Sequence, residues 1–267
     1  MTLGRFLLLI CILSVLFAAH SQTAAGFPAS SFTKDGDDWY DNWDIYRTYY
    51  AGPRGFLPNL ASETIDENKE LAFSIGQNFQ ANYPMAPDRA VAILKYVQTW
   101  TEYGYDSDNV VRDGKYQEEW AWNADEMAHA FDENRGTVAV GDCEDMAFLC
   151  GTIYVGAGFD AALVDAPGHV ALLIWLPEFS NANKYWDLND GRGAGWIWVE
   201  ATGGSNPLGW TPPDFEDGGW SAYPIGNLDN VVAPTETTSP SIDIGFLLGI
   251  AAVIFSIILA LLKARGR

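Results

Sequence analysis

A cysteine at the start of a predicted helix is the side chain of this sequence best suited to nucleophilic chemistry. Cys143 lies in the run GDCEDMA (residues 141–147), and the apolar positions that follow it recur with helical spacing. Asp142 can cap this helix, which puts Cys143 in the first turn. Unpaired N–H groups and the helix dipole stabilise a thiolate there. The position therefore predicts a nucleophile rather than one half of a disulfide.

A cysteine nucleophile needs a base, and two histidines remain after the expected signal cleavage near Ser21. His169 begins an apolar run, 169–176, that follows a Pro-Gly turn and reads as a strand. A strand end beside a helix N-terminus is a suitable place for the base. His129 follows Asp125 by four residues in a predicted helix, so a surface ion pair explains it. We therefore expect His169 to be the base.

The base in turn needs an orienting carboxylate or amide on a neighbouring strand. Glu200 is the only charged residue of the apolar run 196–201, where a lone acid requires a partner such as an imidazole. Asp187, in the shorter run 185–188, is the alternative. We expect Glu200 to orient the base.

The elements that would position these residues change type along the chain. Residues 27–60 are rich in aromatic residues and read as an irregular arm, packed on the domain or contacting carbohydrate. Helices are predicted at 62–82, 87–103, 123–131 and 143–156, and the polar residues 106–121 are expected to form turns. Short strands are predicted at 159–165, 169–176, 185–188 and 196–201, followed by a loop over 203–227 that could cover an edge of the sheet or the site. Helices followed by strands indicate an α+β domain with an antiparallel sheet.

Both ends of the chain carry apolar segments that we expect to lie outside this fold. Residues 6–19 are apolar and too short to span a bilayer, which is typical of a secretory signal. Residues 244–262 are uncharged and precede three basic residues, which favours a membrane helix with an inside tail over a lipid-anchor signal. The expected organisation is a signal peptide (1–21), an aromatic arm and helix (22–86), a catalytic domain (87–228), a stalk (229–241), a transmembrane helix (242–262) and a cytoplasmic tail (263–267).

The charge and cysteine content narrow the function classes. The formal net charge of −20 disfavours nucleic acid as a partner, although adaptation to salt also explains it. Cys143 and Cys150 remain after signal cleavage, and seven helical residues rise about 10 Å. Disulfides need Cα atoms within roughly 7 Å, so both cysteines should be free thiols. An exported chain with a free thiol is consistent with catalysis.

Three blocks of sequence resemble a known superfamily. The blocks GDCEDMA (141–147), GHVAL (168–172) and WVEAT (198–202) look like those of the transglutaminase-like superfamily, in particular its bacterial and archaeal cysteine peptidases. The resemblance covers roughly residues 87–203. It implies a papain-like core with Cys143 as nucleophile, His169 as base and Glu200 as orienting residue. The third block departs from the usual Asp-Pro-Thr, because Glu200 is one methylene longer.

The resemblance also implies a possible calcium site. Some similar periplasmic peptidases bind Ca²⁺ through acids that flank the cysteine, and Asp142 and Glu144 match those positions. The alternative is that Asp142 caps the helix and Glu144 complements its dipole, with no cofactor required.

The predicted function is that of a single-pass plasma-membrane thiol hydrolase with its catalytic domain outside the cytoplasm. The expected substrate is an extracellular or cell-surface protein or peptide, cleaved at an amide bond. A protein cross-linking transglutaminase and an inactive surface binding module are the alternatives.

Overall fold

The computed structural model describes residues 29–65 and 69–226. The predicted signal peptide, the stalk, the transmembrane helix and the tail lie outside the described residues. No helix within the described ranges is long and apolar enough to cross a bilayer.

The fold mixes helices and strands, as expected of an α+β domain. In chain order the elements are β1 (Phe32–Asp35), β2 (Asp38–Asp41), α1 (Phe56–Glu63), α2 (Leu71–Asn82), α3 (Ala86–Trp100), β3 (Thr101–Tyr103), α4 (Asp106–Asn109), β4 (Val111–Arg112), β5 (Lys115–Tyr116), α5 (Ala124–Ala130), β6 (Ala139–Gly141), α6 (Cys143–Gly156), β7 (Ala161–Ala166), β8 (His169–Trp175), β9 (Trp196–Val199), a 3₁₀ turn (Pro213–Phe215) and β10 (Ser221–Pro224).

The central sheet is antiparallel, with its four strands in the order β10-β7-β8-β9. Successive side chains of a strand point to opposite faces, and both faces of this sheet are buried. Leu163 and Leu172 belong to the main helical core on one face, whereas Val164 and Leu173 belong to a smaller, tryptophan-rich core on the other. Two buried faces explain why these strands read as continuous apolar runs rather than as alternating patterns.

Helix α6 packs between the sheet and α2, and nearly all of its residues are buried. Two glycines permit its close approach to α2. A Cβ atom on Gly76 would lie 2.1 Å from the carbonyl oxygen of Ile153, and one on Gly156 would lie 2.3 Å from that of Phe73. The two backbones therefore touch where they cross, which fixes the helix that begins with Cys143.

Several predicted boundaries were wrong because tertiary contacts decide them. The single helix predicted at 62–82 is two helices, since α1 ends at Glu63 and α2 begins at Leu71. The carboxylate of Asp125, on α5, accepts the Ala72 N–H at 2.7 Å and so fixes the start of α2 from outside its own segment. The end of the helix predicted at 87–103 is β3, which pairs in parallel with β6.

Three further segments differ from the sequence prediction. Residues 106–121, expected to be turns, contain α4 and the β4–β5 pair. The run 185–188 is not a strand, because it contributes only an isolated bridge between Trp186 and Trp196. The loop predicted at 203–227 instead supplies the edge strand β10, which pairs with β7.

The aromatic arm packs on the domain. Arg47 is fully buried, and its guanidinium lies 2.9 Å from the Asp41 carboxylate and 2.7 Å from that of Glu126 on α5. Phe32 contacts Trp120 edge to face at 5.0 Å between ring centroids. The arm and helix α5 thus share buried contacts.

Candidate active site

Cys143 is the first residue of α6, as the sequence predicted. Asp142 is the N-cap, and its N–H donates to the Asp145 carboxylate at 3.1 Å. Asp145 is buried and also accepts the Trp122 N–H at 2.7 Å, which ties the helix start to the preceding loop. Cys143 is half-buried, whereas Cys150 is completely buried, and both are free thiols.

His169 and Glu200 meet at adjacent strand ends. His169 opens β8, Glu200 follows β9, and His169 Nε2 lies 2.9 Å from Glu200 Oε2. The same Oε2 accepts the indole N–H of Trp198 at 3.3 Å. The other oxygen, Oε1, accepts the hydroxyl of Thr202 at 2.6 Å and its N–H at 3.2 Å. Four donors therefore fix the longer glutamate side chain in a single orientation.

The electrostatics of this pair favour an imidazolium beside a carboxylate. Burial alone lowers the pKa of His169, but hydrogen bonds and charge interactions with Cys143 and Glu200 outweigh it and raise the pKa to about 9. Burial acts to raise the pKa of Glu200, yet its contacts with His169, Thr202 and Trp198 lower it overall. The side chains of Cys143 and Glu200 thus both act on one imidazole.

The other sequence candidates lie elsewhere. Asp187 accepts the Asn189 N–H at 2.7 Å in a local turn, so its carboxylate serves that turn rather than the base. His129 is exposed on α5. Asp125 is fully buried, so the pair is not on the surface as expected; burial raises the pKa of Asp125 to about 6, and His129 acts in the opposite direction.

A cleft of about 760 Å³ opens over Cys143 and His169. Tyr50 from the arm and Tyr105 after β3 form part of its wall, and both are more than half exposed. This volume lies within the range of about 300–1,000 Å³ that is usual for ligand-binding clefts.

A group of carboxylates lies beside Cys143. Asp142, Cys143 and Glu144 bring one potential ligand atom each within 4.8 Å of one another, and so do Asp106, Glu119 and Glu144. Buried oxygens of Glu119, Asp142 and Glu144 lack a hydrogen-bond partner among the described residues. Burial raises the pKa of Asp106 to about 8, and burial with neighbouring acids raises the pKa of Glu144 well above its usual range.

Sequence reasoning missed Asp106 and Glu119 as neighbours of the site. Both lie in the polar segment 106–121, where acids are ordinary surface residues. Only the tertiary structure brings them to Glu144, whose side chain is 4% exposed and not on a solvated face. The Cys143 thiol also donates to Glu144 at 3.3 Å.

No known protein family, curated protein or solved structure matches this chain. The arrangement of Cys143, His169 and Glu200 is therefore the basis for a functional proposal.

Proposed function

We propose that the protein is a transglutaminase-like thiol hydrolase that cleaves amide bonds outside the cytoplasm. The observation that carries this proposal is the placement of one imidazole between two partners. His169 binds Glu200 through Nε2 and also interacts with the Cys143 thiol at the start of α6. Nucleophile, base and orienting group are the three components that such chemistry requires.

The proposed reaction proceeds through a thioester. With Nε2–H donating to Glu200, Nδ1 of His169 takes the thiol proton while the sulfur of Cys143 attacks the amide carbonyl. The Cys143 N–H, unpaired at the helix start, can donate to the resulting oxyanion. The imidazolium then protonates the leaving amine. Water, deprotonated by the same imidazole, hydrolyses the thioester and regenerates the thiol.

The decisive experiment compares histidine and cysteine variants on a fluorogenic peptide library. Cys143→Ala and His169→Ala should each lower amide turnover by at least about a thousandfold, because each removes an essential group. His129→Ala, which removes an exposed histidine on α5, should retain full activity. Undiminished turnover by Cys143→Ala would refute the proposal.

The two alternative functions predict different results when amine incorporation and thiol labelling are measured on the same protein. A cross-linking transglutaminase would incorporate a fluorescent amine into protein faster than it hydrolyses the thioester. An inactive binding module would leave Cys143 no more reactive with iodoacetamide than a free cysteine. The hydrolase assignment predicts rapid labelling of Cys143 and none of the buried Cys150.

We further propose that Ca²⁺ binds the carboxylates beside Cys143. The residues fit a hard cation, because carboxylate oxygens are its preferred ligands and several here are buried without a partner. Asp142 and Glu144 would hold the ion, with Asp106 and Glu119 within reach of Glu144. When bound, the cation would neutralise these acids and order the first turn of α6.

Binding can be measured without activity, through Tb³⁺ luminescence excited by nearby aromatic residues. Ca²⁺ should displace Tb³⁺, and Glu144→Gln, which changes the acid common to both carboxylate groups, should weaken binding about tenfold or more. Glu118→Gln, which changes an acid outside both groups, should leave the affinity unchanged. Equal luminescence from all three proteins, or none from the wild type, would contradict the proposal that a cation binds here.

We propose in addition that residues 242–262 anchor the protein in the plasma membrane after removal of residues 1–21. The full chain expressed in cells should resist alkaline extraction, and external protease should digest its catalytic domain. Release of the full chain by alkaline carbonate would contradict the anchor.

A further inference from the structure

The imidazole of His169 is stacked on an aromatic ring that the proposed reaction does not use. Phe215, in the 3₁₀ turn, lies nearly parallel to His169, with ring centroids 5.7 Å apart and an interplanar angle of 5°. Phe215 stacks in the same way on Trp198, at 5.5 Å and 12°. Offset stacks of this kind contribute beyond simple burial and fix the relative orientation of the rings.

Both rings that contact Phe215 donate to one oxygen. His169 Nε2 and Trp198 Nε1 lie 2.9 Å and 3.3 Å from Glu200 Oε2. Phe215 therefore lies against the pair of donors that hold the orienting carboxylate. A ring in this place also limits the access of water to the imidazole–carboxylate hydrogen bond.

The segment that carries Phe215 is anchored on both sides. On one side, Thr211 and Asn183 exchange two hydrogen bonds of 2.8 and 2.9 Å. On the other, the indole N–H of Trp220 donates to the Phe215 carbonyl at 3.1 Å, and Trp220 is buried against Trp186 and Trp198. The ring is thus held against His169 by a fixed backbone rather than by a free loop.

Resting on the proposed function, we infer that Phe215 is a positioning residue that holds the His169 imidazole in the plane joining Glu200 to Cys143. The terminal rotation of a histidine side chain is broad and poorly restricted by its own torsional preference. Without a ring on its face, the imidazole could turn and lose the contact with the thiol while the fold stayed intact. Phe215 is partly buried and packs against the smaller, tryptophan-rich core, so its replacement leaves the main helical core untouched.

The test measures the iodoacetamide rate constant of Cys143 at neutral pH together with the ring N–H resonance of ¹⁵N-labelled His169. Phe215→Leu keeps apolar bulk but not the flat face, and Phe215→Tyr keeps both. Phe79→Leu is the matched control, because Phe79 is also partly buried and stacked, on Tyr83 at 5.7 Å, but lies on α2. We expect Phe215→Leu to slow labelling about fivefold or more and to lose the exchange-protected N–H resonance, whereas the other two variants behave as wild type.

The outcomes separate the two proposals. If wild-type Cys143 labels rapidly and Phe215→Leu matches it in rate and resonance, Phe215 has no positioning role while the hydrolase proposal stands. If wild-type Cys143 is itself unreactive, the hydrolase proposal fails and this inference fails with it. Slow labelling by Phe215→Tyr or Phe79→Leu would show a general loss of structure and also overturn the inference.

Discussion

At the residue scale, the orienting glutamate is the unusual feature of the proposed triad. Glu200 is one methylene longer than the aspartate usual in the sequence block that this region resembles. Its two carboxylate oxygens accept hydrogen bonds from Thr202 and Trp198. Because those contacts fix both oxygens, the carboxylate can face His169 without free rotation. The residue that departs from the pattern is thus as constrained as a shorter one.

We predict that Glu200→Gln lowers amide turnover by about a hundredfold, because a neutral amide no longer favours the imidazolium. Glu200→Asp keeps the negative charge but moves the carboxylate one methylene further from His169. Its amide turnover should therefore fall less than that of Glu200→Gln. Turnover and thermal stability should be measured for both variants. Equal activity of Glu200→Gln and wild type would show that Glu200 does not act through His169.

The raised pKa of His169 predicts a pH dependence of stability. Its folded pKa of about 9 exceeds the ordinary value of 6.5, so the stabilisation from the pair is complete below about pH 6.5 and is lost as the pH rises through 9. The unfolding free energy of wild type minus that of His169→Gln should therefore shrink across this window in urea titrations. A constant difference would contradict the pairing.

At the element scale, the position of Cys143 depends on the crossing of α2 and α6. Gly76 and Gly156 allow contact between the two backbones, and Asp125 fixes the start of α2 from a third helix. A helix clamped in this way presents its first residue to the sheet in one place, which a nucleophile needs in order to meet a base on another element.

We predict that Gly76→Ala destabilises the fold by about 3 kcal/mol, because the new methyl group would meet backbone rather than a movable side chain. Gly204→Ala is the control, since nothing lies within 4 Å of its added Cβ. Urea unfolding of both variants measures the difference. Similar midpoints for the two would show that α2 can shift away from α6.

At the scale of the whole molecule, a buried arginine joins the aromatic arm to the helical part of the domain. Arg47 pairs with Asp41 on β2 and with Glu126 on α5, and the Arg47 side chain is inaccessible to solvent. Breaking a buried pair strands the remaining charges away from water. The arm also contributes Tyr50 to the wall of the cleft, so its attachment shapes the site.

We predict that Arg47→Met destabilises the protein by about 3–5 kcal/mol, because Asp41 and Glu126 would remain buried without their partner. Arg54→Met breaks the exposed pair with Asp44 and should cost at most about 1 kcal/mol. Chemical denaturation gives both values. A small and equal loss of unfolding free energy in the two variants would show that the arm can detach without destabilising the domain.

Several components of the fold and of the candidate site could be predicted from local sequence chemistry. Cys143 at a helix start, the capping box of Asn123 and Glu126, and the apolar strands that carry His169 and precede Glu200 follow from caps, periodicity and the isolation of one acid. The break between α1 and α2 and the edge strand β10 could not be predicted, because a distant carboxylate and a distant strand decide them.

The side chains that surround the proposed triad depend on the packing of segments that are distant in the sequence. Phe215 reaches His169 from 46 residues along the chain, and Asp106 and Glu119 reach Glu144 from a segment that reads as polar turns. Such contacts depend on how elements pack, and neither residue spacing nor composition encodes them locally. Cys143, His169 and Glu200 could therefore be proposed from their own neighbourhoods, whereas the ring stacked on His169 and the acids that reach Glu144 could not.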